Sequence, residues 1–303
     1  MSASAALTRI GIIKEATAGT TPATPSLVSQ RFASANFSLT KPELEDNSKA
    51  DTRQKLFTKT GNKTVGGNID GPLAHDNYDT LFESAMFNEF VTDELTMGET
   101  TIPLTIEEAQ GDIGQYKINR GCIVNGFTIN APVDGLATAS FDILGLSQEM
   151  AATSVDADDS YDSQPFREPF THCGGTISEG GTAIGIVTDI NFNMTNNIST
   201  VFTWGECDPH DLIPARIDVT GTLTVLFSDA ALYNKFIGDT ASSLSFTMDD
   251  GNSNTVQFEM PNIKYTGSDM PVDAGSGLRT ISMPFRALQD SVSGSTIIIT
   301  RSA

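Results

Sequence analysis

The sequence predicts a mainly β protein built from two tandem β-sandwich or barrel modules, each with one flanking α-helix. Three observations support this fold class. Short apolar runs alternate with polar residues, and 26 Gly and 13 Pro separate them as turns would. Only two segments show helical spacing. The order of these features in the first half of the chain recurs in the second half, which indicates an internal duplication.

The duplication is clearest between "TVGGNIDGPLAHDNYDTLFESAM", which starts at Thr64, and "DVTGTLTVLFSDAALYNKFI", which starts at Asp218. With an offset of 154 residues, the alternating strand positions coincide. They are Val65, Gly67 and Ile69 in the first copy and Val219, Gly221 and Leu223 in the second. Both sets fit one face of a strand.

One extra residue in the second copy then aligns two helices. Their apolar residues are Tyr78, Leu81 and Phe82 in the first copy and Tyr233, Phe236 and Ile237 in the second. Each set is spaced i, i+3, i+4, which predicts the face that packs on the module core. Asp76 and Ser228 precede the helices, and we expect them to be the N-caps.

A predicted hairpin and a final pair of strands continue the match. With an offset of 140, the hairpin positions Ile106, Ile118 and Ile123 align with Phe246, Phe258 and Ile263, and Asp250-Gly251 is a turn signal. The last strands align Leu136, Thr138, Ser140 and Leu146 with Leu278, Thr280, Ser282 and Leu288. We therefore expect a first module at residues 1–155, with an N-terminal arm at about 1–30, and a second module at residues 156–303.

A long loop occurs at the same place in each copy, at Lys41–Asn62 and at Asn196–Arg216. Loops of this length are uncommon in compact domains and often bind a partner, although an exposed hairpin without a partner is the alternative. The first loop contains both signs of charge, and the second contains the only tryptophan. The candidate contact residues are Glu43, Glu45, Asp46, Lys49, Arg53, Lys55, Phe57, Lys59, Phe202, Trp204, Asp208 and Ile213.

Charge and composition exclude several functions. The net charge of −20 argues against a protein that wraps nucleic acid by neutralising phosphates. No apolar run approaches about 18 residues, so no membrane span is expected, and the N-terminus lacks the pattern of a signal peptide. Three cysteines do not form a paired framework, which favours free thiols and synthesis in a reducing cytoplasm.

No catalytic motif of a hydrolase, P-loop enzyme or metalloprotease is present. His172-Cys173 and Cys207–His210 offer zinc ligand types without the usual spacing, and His75 is expected to be a solvated loop residue. The stretch "DADDSYD" lacks the glycine and final glutamate of a calcium loop, so an acidic linker is predicted. We predict no enzyme activity, cofactor or metal.

Three stretches carry a family resemblance: "IKEATAGTTPATP" from Ile13, "GNIDGPLAHDNYDTLFESAM" from Gly67 and "PFTHCGGTISEGGTAIGIVTDINFNM" from Pro169. They resemble the tail tube proteins of long, flexible-tailed bacteriophages, in the subgroup with two modules per chain. The resemblance implies sheets that join those of neighbours into a closed ring. If six modules close a ring, two per chain imply a homotrimer of pseudo-hexameric shape.

The resemblance also implies a role. Stacked rings would form a hollow tube in the virion tail that conducts double-stranded DNA without binding it specifically. Other expected partners are the tail tip, tape-measure and tail terminator proteins, and the chain would be synthesised in the host bacterial cytoplasm. The two long loops and the N-terminal arm are expected to make the ring-to-ring contacts. An acidic channel lining would repel the DNA, although acidity could instead keep the free subunit soluble.

A secreted or surface β-sandwich binding module remains the alternative function, and an enzyme is a further one. The binding module would remain monomeric and carry an aromatic platform or a calcium site. An enzyme would require a deep pocket with convergent titrating groups.

Overall fold

The computed structural model describes residues 4–49, 51–271 and 279–302. Leu278, which the sequence repeat matches to Leu136, lies outside them. In the first half of the chain, the strands and helix are β1 (Thr8–Lys14), β2 (Val28–Gln30), β3 (Ser34–Thr40), β4 (Glu43–Glu45), β5 (Thr58–Thr60), β6 (Thr64–Pro72), α1 (Asp79–Met86), β7 (Glu94–Thr96), β8 (Leu104–Gln110), β9 (Gln115–Pro132), β10 (Thr138–Gly145) and β11 (Ser147–Ala151). A short 3₁₀ helix, Ala5–Leu7, precedes β1.

The second half has a similar but not identical succession of strands around one helix. Its elements are β12 (Thr176–Glu179), β13 (Thr182–Ala183), β14 (Val187–Thr195), β15 (Ser199–Val201), β16 (Asp211–Ile213), β17 (Asp218–Leu226), α2 (Ala231–Ile237), β18 (Ser242–Asp249), β19 (Thr255–Tyr265), β20 (Thr280–Ala287) and β21 (Ile298–Ser302). The mainly β class predicted from the alternating sequence is therefore confirmed.

One antiparallel sheet of eight strands runs through both halves. Its order is β3-β6-β10-β9-β14-β17-β20-β19. The two halves meet within this sheet, where β9 pairs with β14 from Gly126 opposite Thr195 to Pro132 opposite Asp189. The halves are thus joined by backbone hydrogen bonds as well as by side chains.

A second layer of strands, which we call the outer layer, covers the core-facing side of this sheet in each half. The order is β2-β1-β8-β9-β11 in the first half and β13-β12-β18-β19-β21-β7 in the second. The long strands β9 and β19 belong to both layers. Each passes from one layer to the other where its register with the neighbouring strand shifts, and in β9 this point contains Gly121 with φ +61°. A bulge with a glycine in this conformation bends a strand, which explains how one strand joins two layers.

The core is continuous across the two halves. Phe127 and Phe192, on the two strands that join the halves, pack edge to face with ring centroids 5.8 Å apart. Phe82 of α1 lies 5.9 Å from Phe258 of β19. Phe37, Phe192 and Phe285 are buried, as the alternating pattern predicted. Full burial of each aromatic side chain stabilises the fold by about 1.5–3 kcal/mol.

The two helices differ in burial and in how they begin. Leu81, Phe82 and Ala85 of α1 are fully covered, whereas no residue of α2 is fully buried. The N-cap predictions were wrong. The N-cap positions are Tyr78 and Ala230, neither with a side-chain cap, because both helices start later than the helical spacing suggested. Asp76 instead adopts φ +62° and contacts charged side chains.

The acidic stretch between the halves packs on the first half. The buried carboxylate of Glu107 accepts hydrogen bonds from the Tyr161 hydroxyl (2.6 Å) and the Val155 amide (2.8 Å). Asp156 accepts one from the Leu27 amide (2.8 Å). The side chains of Leu27 and Tyr161 form a second small core with those of strands β8 and β9. The stretch is therefore an ordered cover over the outer layer of strands.

Candidate functional site

The strand β3 at one end of the eight-stranded sheet has one unpaired edge among the described residues. It pairs with β6 and with no second strand. Its apolar residues Ala35 and Leu39 are half-buried, whereas Ile190 and Met194, at the same positions of β14, are buried. The difference arises because β14 has a strand on both sides. An unpaired edge of seven residues is a surface on which another strand can add.

The opposite end of the sheet has a matching unpaired edge. Beyond β19, the chain continues along β20: the Thr266 amide donates to the Pro284 carbonyl (2.8 Å). Asp269 and Ser282 then exchange two backbone hydrogen bonds of 2.9 and 2.8 Å. The other side of residues 266–271 has no strand beside it in the described part of the chain. Each end of the sheet can therefore accept one strand.

The face of the eight-stranded sheet that points away from the core is polar and mostly uncharged. Three rows of side chains cross it, and we call the surface they form the polar face. The first row is Ser34, Asp70, Ser140, Thr128, Asn193, Thr220, Arg286 and Lys264. The second is Asn36, Asn68, Asp142, Gly126, Thr195 and Asp218. The third is Thr138, Asn130, Asn191, Thr222 and Pro284.

The centre of the polar face is concave and spans the junction of the two halves. Thr128 and Asn130 of β9 and Asn191 and Asn193 of β14 line an open depression of ≈ 840 Å³ together with residues of β17 and β20. The Asn193 amide donates to the Thr128 hydroxyl (2.9 Å) across the junction. Short amide and hydroxyl side chains of this kind can donate hydrogen bonds to water and accept them from it.

The charged groups of the polar face are each held by neighbours. Asp142 accepts a hydrogen bond from the Asn125 amide (2.8 Å), and Asp70 accepts one from the Ser34 hydroxyl (3.0 Å). Asp218 pairs with Arg286 at 3.2 Å. The three rows contain three aspartates against Arg286 and Lys264, so the face is weakly acidic.

The two long loops leave the sheet at the same end. The first follows β3 and precedes β6, and the second follows β14 and precedes β17. Each forms a small hairpin, β4 with β5 and β15 with β16. The loops also touch: Lys63 Nζ lies 2.7 Å from an Asp208 carboxylate oxygen, and the Lys63 amide donates to the Cys207 carbonyl (2.8 Å).

The candidate contact residues of the first loop are all exposed. They are Glu43, Glu45, Asp46, Lys49, Arg53, Lys55, Phe57 and Lys59. Lys55 pairs with Glu45 inside this loop. In the second loop Trp204 is fully exposed and Ile213 is half exposed, while Phe202 and Asp208 are partly covered. Exposed Phe57 and Trp204 on one end of the molecule form the kind of surface that meets another protein.

The helix residues and histidine differ from expectation in part. Tyr78, Leu81 and Phe82 lie in the core, and Tyr233 and Phe236 pack on it while half-buried. Ile237 does not pack there and is 64% exposed, because no element among the described residues covers the end of α2. His75, expected in solvent, is 5% exposed, because it lies beside α1 and next to Asp76.

The thiol and imidazole groups do not converge. His172 and Cys173 are exposed neighbours, with Nε2 3.6 Å from Sγ, and Cys207 and His210 lie in the second loop. Burial raises the pKa of the Cys122 thiol, which makes it unreactive. Across residues 4–49, 51–271 and 279–302, no three His, Cys, Asp or Glu side chains are grouped as metal ligands.

Sequence reasoning missed the polar face. Its signal was present as alternating Asn, Thr and Ser in "NFNMTN" and "DVTGTLT", where the apolar residues mark the core side. Which face would be concave depended on tertiary structure. Neither helix of the described chain is long and apolar enough to cross a lipid bilayer.

A family model described as phage tail tube protein matches residues 5–287. No curated protein matches the chain. Because the family model covers nearly the whole sequence, the chain belongs to the phage tail tube protein family.

Proposed function

We propose that this protein is the major tail tube subunit of a long-tailed bacteriophage. Its copies join by their sheet edges into rings, and the rings stack into a tube that conducts the double-stranded DNA genome. The observation that carries the proposal is the β9–β14 pairing. One edge-to-edge junction already exists within the chain, and a complementary pair of edges is unpaired among the residues that the structure describes.

Family membership supports the general role. Proteins of this family are structural subunits of the phage tail, which places the chain in the virion and argues against an enzyme. Self-assembly with other tail proteins is likewise what the family implies. The tail tip, tape-measure and tail terminator proteins are the partners we propose beyond the subunit itself.

The proposal treats the chain as two modules, near residues 1–155 and 156–303. The order of strand pairing supports this division, since β3-β6-β10-β9 in the first half has its counterpart in β14-β17-β20-β19. Residues up to Phe170, whose amide donates to the Leu73 carbonyl (2.9 Å), pack on the first module as a connecting segment.

The junction within the chain sets the register expected between chains. Thr128 pairs with Ser140 in the first half, and Asp269 pairs with Ser282 in the second. Because Ser140 and Ser282 correspond in the sequence repeat, Thr128 and Asp269 occupy equivalent positions. Within the chain, the next neighbour of Thr128 is Asn193. The counterpart of Asn193 in the first half is Ser38, because Ser38 pairs with Gly66 as Asn193 pairs with Thr220. Asp269 is therefore expected opposite Ser38 of a neighbouring copy.

A closed ring satisfies every edge of the eight-stranded sheet. A cyclic assembly of like modules leaves no unpaired strand, whereas a single chain leaves two. With two modules in each chain, a ring of six modules contains three chains. The homotrimer is thus a pseudo-hexamer in which every second junction is covalently continuous.

The polar face is proposed to line the channel. Its Asn, Thr and Ser side chains hold water and offer no cluster of Lys or Arg that would retain phosphates. Asp142, which accepts a hydrogen bond from Asn125 and has no cationic partner among the described residues, contributes negative charge that keeps the DNA from the wall. Replacing exposed Asp142 by Lys should slow genome release, whereas the same change at exposed Glu99, outside the polar face, should leave it unaltered.

The two loops and the N-terminal arm are proposed to contact the next ring. Both loops project from one end of the sheet, so in a ring they would all project from one rim. A contact between one rim and the opposite rim of the next ring repeats without closing, which generates a tube. Deleting Pro42–Lys59 should leave folded subunits that no longer polymerise. The Gly61 amide donates to the Pro42 carbonyl (2.7 Å), so the deletion joins ends that are already close.

Electron microscopy of the purified protein tests the function. Hollow rods of uniform width support the proposal, and the deletion of Pro42–Lys59 should yield rings or trimers without rods. Protein that stays monomeric under all conditions would contradict the proposal and favour the binding module. Unchanged rods after the deletion would contradict only the role of the first loop.

A further inference from the structure

The helices α1 and α2 follow corresponding strands but differ in what covers them. The side chains of α1 are buried on several sides, and α1 contacts the second half of the chain. In α2, Leu232, Tyr233 and Phe236 are half-buried and Ile237 is 64% exposed. A helix with mainly apolar residues and one uncovered side is a candidate contact surface.

The cover of α1 consists of the outer layer of the second half. The ring centroids of Phe82 and Phe258 lie 5.9 Å apart. Phe82 and Phe90 also enclose a small cavity against Val256, Ile299 and Arg301. The Arg301 guanidinium lies 4.3 Å from the centre of the Phe90 ring and pairs with Asp79. This contact adjoins the β9–β14 junction, so the two halves meet both in the inner sheet and at the outer layer.

The surface under α1 has a counterpart in the first half. In the second half, paired residues form an apolar row of Ile177, Phe246, Phe258 and Ile299. In β19 an irregularity lies between Met260 and Ile263, and in β9 it lies between Asn119 and Cys122. Met260 and Asn119 are the last residues before these register shifts and therefore correspond to each other. Phe258 precedes Met260 as Lys117 precedes Asn119, so Phe258 corresponds to Lys117. The matching row in the first half is Ile10, Glu108, Lys117 and Met150.

This row of the first half is only partly covered. Met150 is 65% exposed. Glu108 and Lys117 form an ion pair at 2.7 Å, and Lys117 Nζ also donates to the Phe37 carbonyl (3.3 Å). Beside the pair, Ile10, Phe32 and Ala35 border a cavity of ≈ 430 Å³. No described element of the chain lies over this surface as α1 lies over the surface of Phe258.

We propose that α2 of one copy packs on the surface of Glu108, Lys117 and Met150 of the next copy. The occupant is a second copy of this chain, because the same type of helix already covers the corresponding surface within the chain. This helix contact adjoins the strand pairing proposed between copies, and it rests on the proposed function as a ring-forming tail tube subunit. The inter-chain contact therefore has two layers, an inner pairing of strands and an outer packing of a helix on a sheet.

The composition of the two outer contacts differs in a way that suits their roles. In the second half these positions hold Phe246 and Phe258, which are buried, and Phe258 contacts Phe82 of α1. The contact between chains places Glu108 and Lys117 at these positions. A hydrated ion pair keeps this surface from aggregating before assembly, as an exposed phenylalanine pair would not.

Cross-linking tests the contact. In a background with Cys173→Ser and Cys207→Ser, subunits carrying Ile237→Cys and Met150→Cys are treated with a short bis-maleimide. We expect covalent dimers and trimers, while either substitution alone gives only monomer. A separate pair, Asp269→Cys with Ser38→Cys, reports the edge junction. If the edge pair cross-links and the helix pair does not, only the outer contact is wrong, and if neither does, the proposed ring is wrong too.

A charge substitution gives a second measurement. Ile237→Asp replaces an apolar contact with a carboxylate that must lose water in the contact, and it should raise the concentration needed for ring formation at least tenfold. Val292→Asp, at an exposed site in the connection between β20 and β21, is the matched control and should have no effect. Both variants should retain the thermal stability of the parent. Ring formation that is equally unaffected by Ile237→Asp would overturn the inference.

Discussion

Lys63 and Asp208 join the two long loops, with Nζ 2.7 Å from the carboxylate oxygen although 145 residues separate them in sequence. Asp208 was predicted from sequence as a contact residue for another ring. In the single chain it also orients the second loop against the base of the first. The two loops thus form one surface, which carries the exposed Phe57 and Trp204.

Removing this ion pair should loosen the second loop without unfolding the protein. Both groups are partly exposed, so Asp208→Asn should lower the free energy of unfolding by less than about 1 kcal/mol. Amide hydrogen exchange at residues 203–210 should nevertheless become faster. Glu45→Gln, which breaks an ion pair inside the first loop, is the control and should leave that exchange unchanged. Equal exchange in both variants would show that the pair does not hold the loop.

The shared aromatic core should make the two halves unfold together. Phe258→Ala removes a ring that contacts Phe82, Phe192 and Phe246, and should cost about 3–5 kcal/mol. Phe57→Ala, at a 69% exposed site, is the control and should cost under about 0.5 kcal/mol. Calorimetry should show one transition that shifts as a whole. Two separate transitions, with only one shifted, would contradict a continuous core.

Gly221 should not tolerate a side chain, because the strand passes too close to its neighbours. A Cβ there would lie 2.5 Å from the Asn191 carbonyl oxygen and 2.5 Å from Phe285 Cζ. Gly221→Ala should therefore destabilise the fold by about 1–3 kcal/mol. A Cβ at Gly185 meets nothing within 4 Å, so Gly185→Ala serves as the control. Chemical denaturation measures both, and equal stabilities would refute the close approach.

Stability should fall above pH 10 as tyrosines ionise. Burial raises the pKa of Tyr78 to about 12, and burial also raises the pKa of Tyr265. In the unfolded chain these groups lose their protons near pH 10, while in the folded chain they keep them. Between pH 10 and 12 the unfolded state therefore binds fewer protons, and each such tyrosine lowers stability by up to about 1.4 kcal/mol per pH unit.

The contribution of Tyr78 can be isolated. Tyr78→Phe removes one ionising group, so the loss of stability between pH 10 and 12 should be shallower by about one proton than in the parent. The measurement is the free energy of unfolding in denaturant at several pH values. An identical slope in both proteins would show that Tyr78 ionises equally in the folded and unfolded states.

The sequence predicted the strands well and the relation between layers less well. Alternation in "DVTGTLTVL" marked both faces of β17, and the core side followed from Val219 and Leu223. The match of Ile118 with Phe258 differs from the strand pairing, which matches Lys117 with Phe258. The reason is that Tyr116 and Ile118 face the separate small core with Leu27 and Tyr161, whereas Phe258 faces the main core. Apolar identity alone does not show which side of a strand is covered.

The candidate site was predictable in part. The loops could be located by their length and position, because long insertions between paired strands are visible in sequence. The exposure of Ile237 was not predictable, because helical spacing marks an apolar face without showing whether the chain itself covers it. The unpaired edges of β3 and of residues 266–271 required the sheet order, which depends on pairings between distant segments.

Intermolecular disulfide formation between Asp269→Cys and Ser38→Cys, in the Cys173→Ser and Cys207→Ser background, tests the central claim most directly. Residues that face each other across antiparallel strands lie at a distance that a disulfide can bridge. The account predicts covalent closed trimers under mild oxidation and none when Ser34→Cys replaces Ser38→Cys, because Ser34 is out of register. Rods that assemble without this cross-link, or that cross-link equally through position 34, would contradict it.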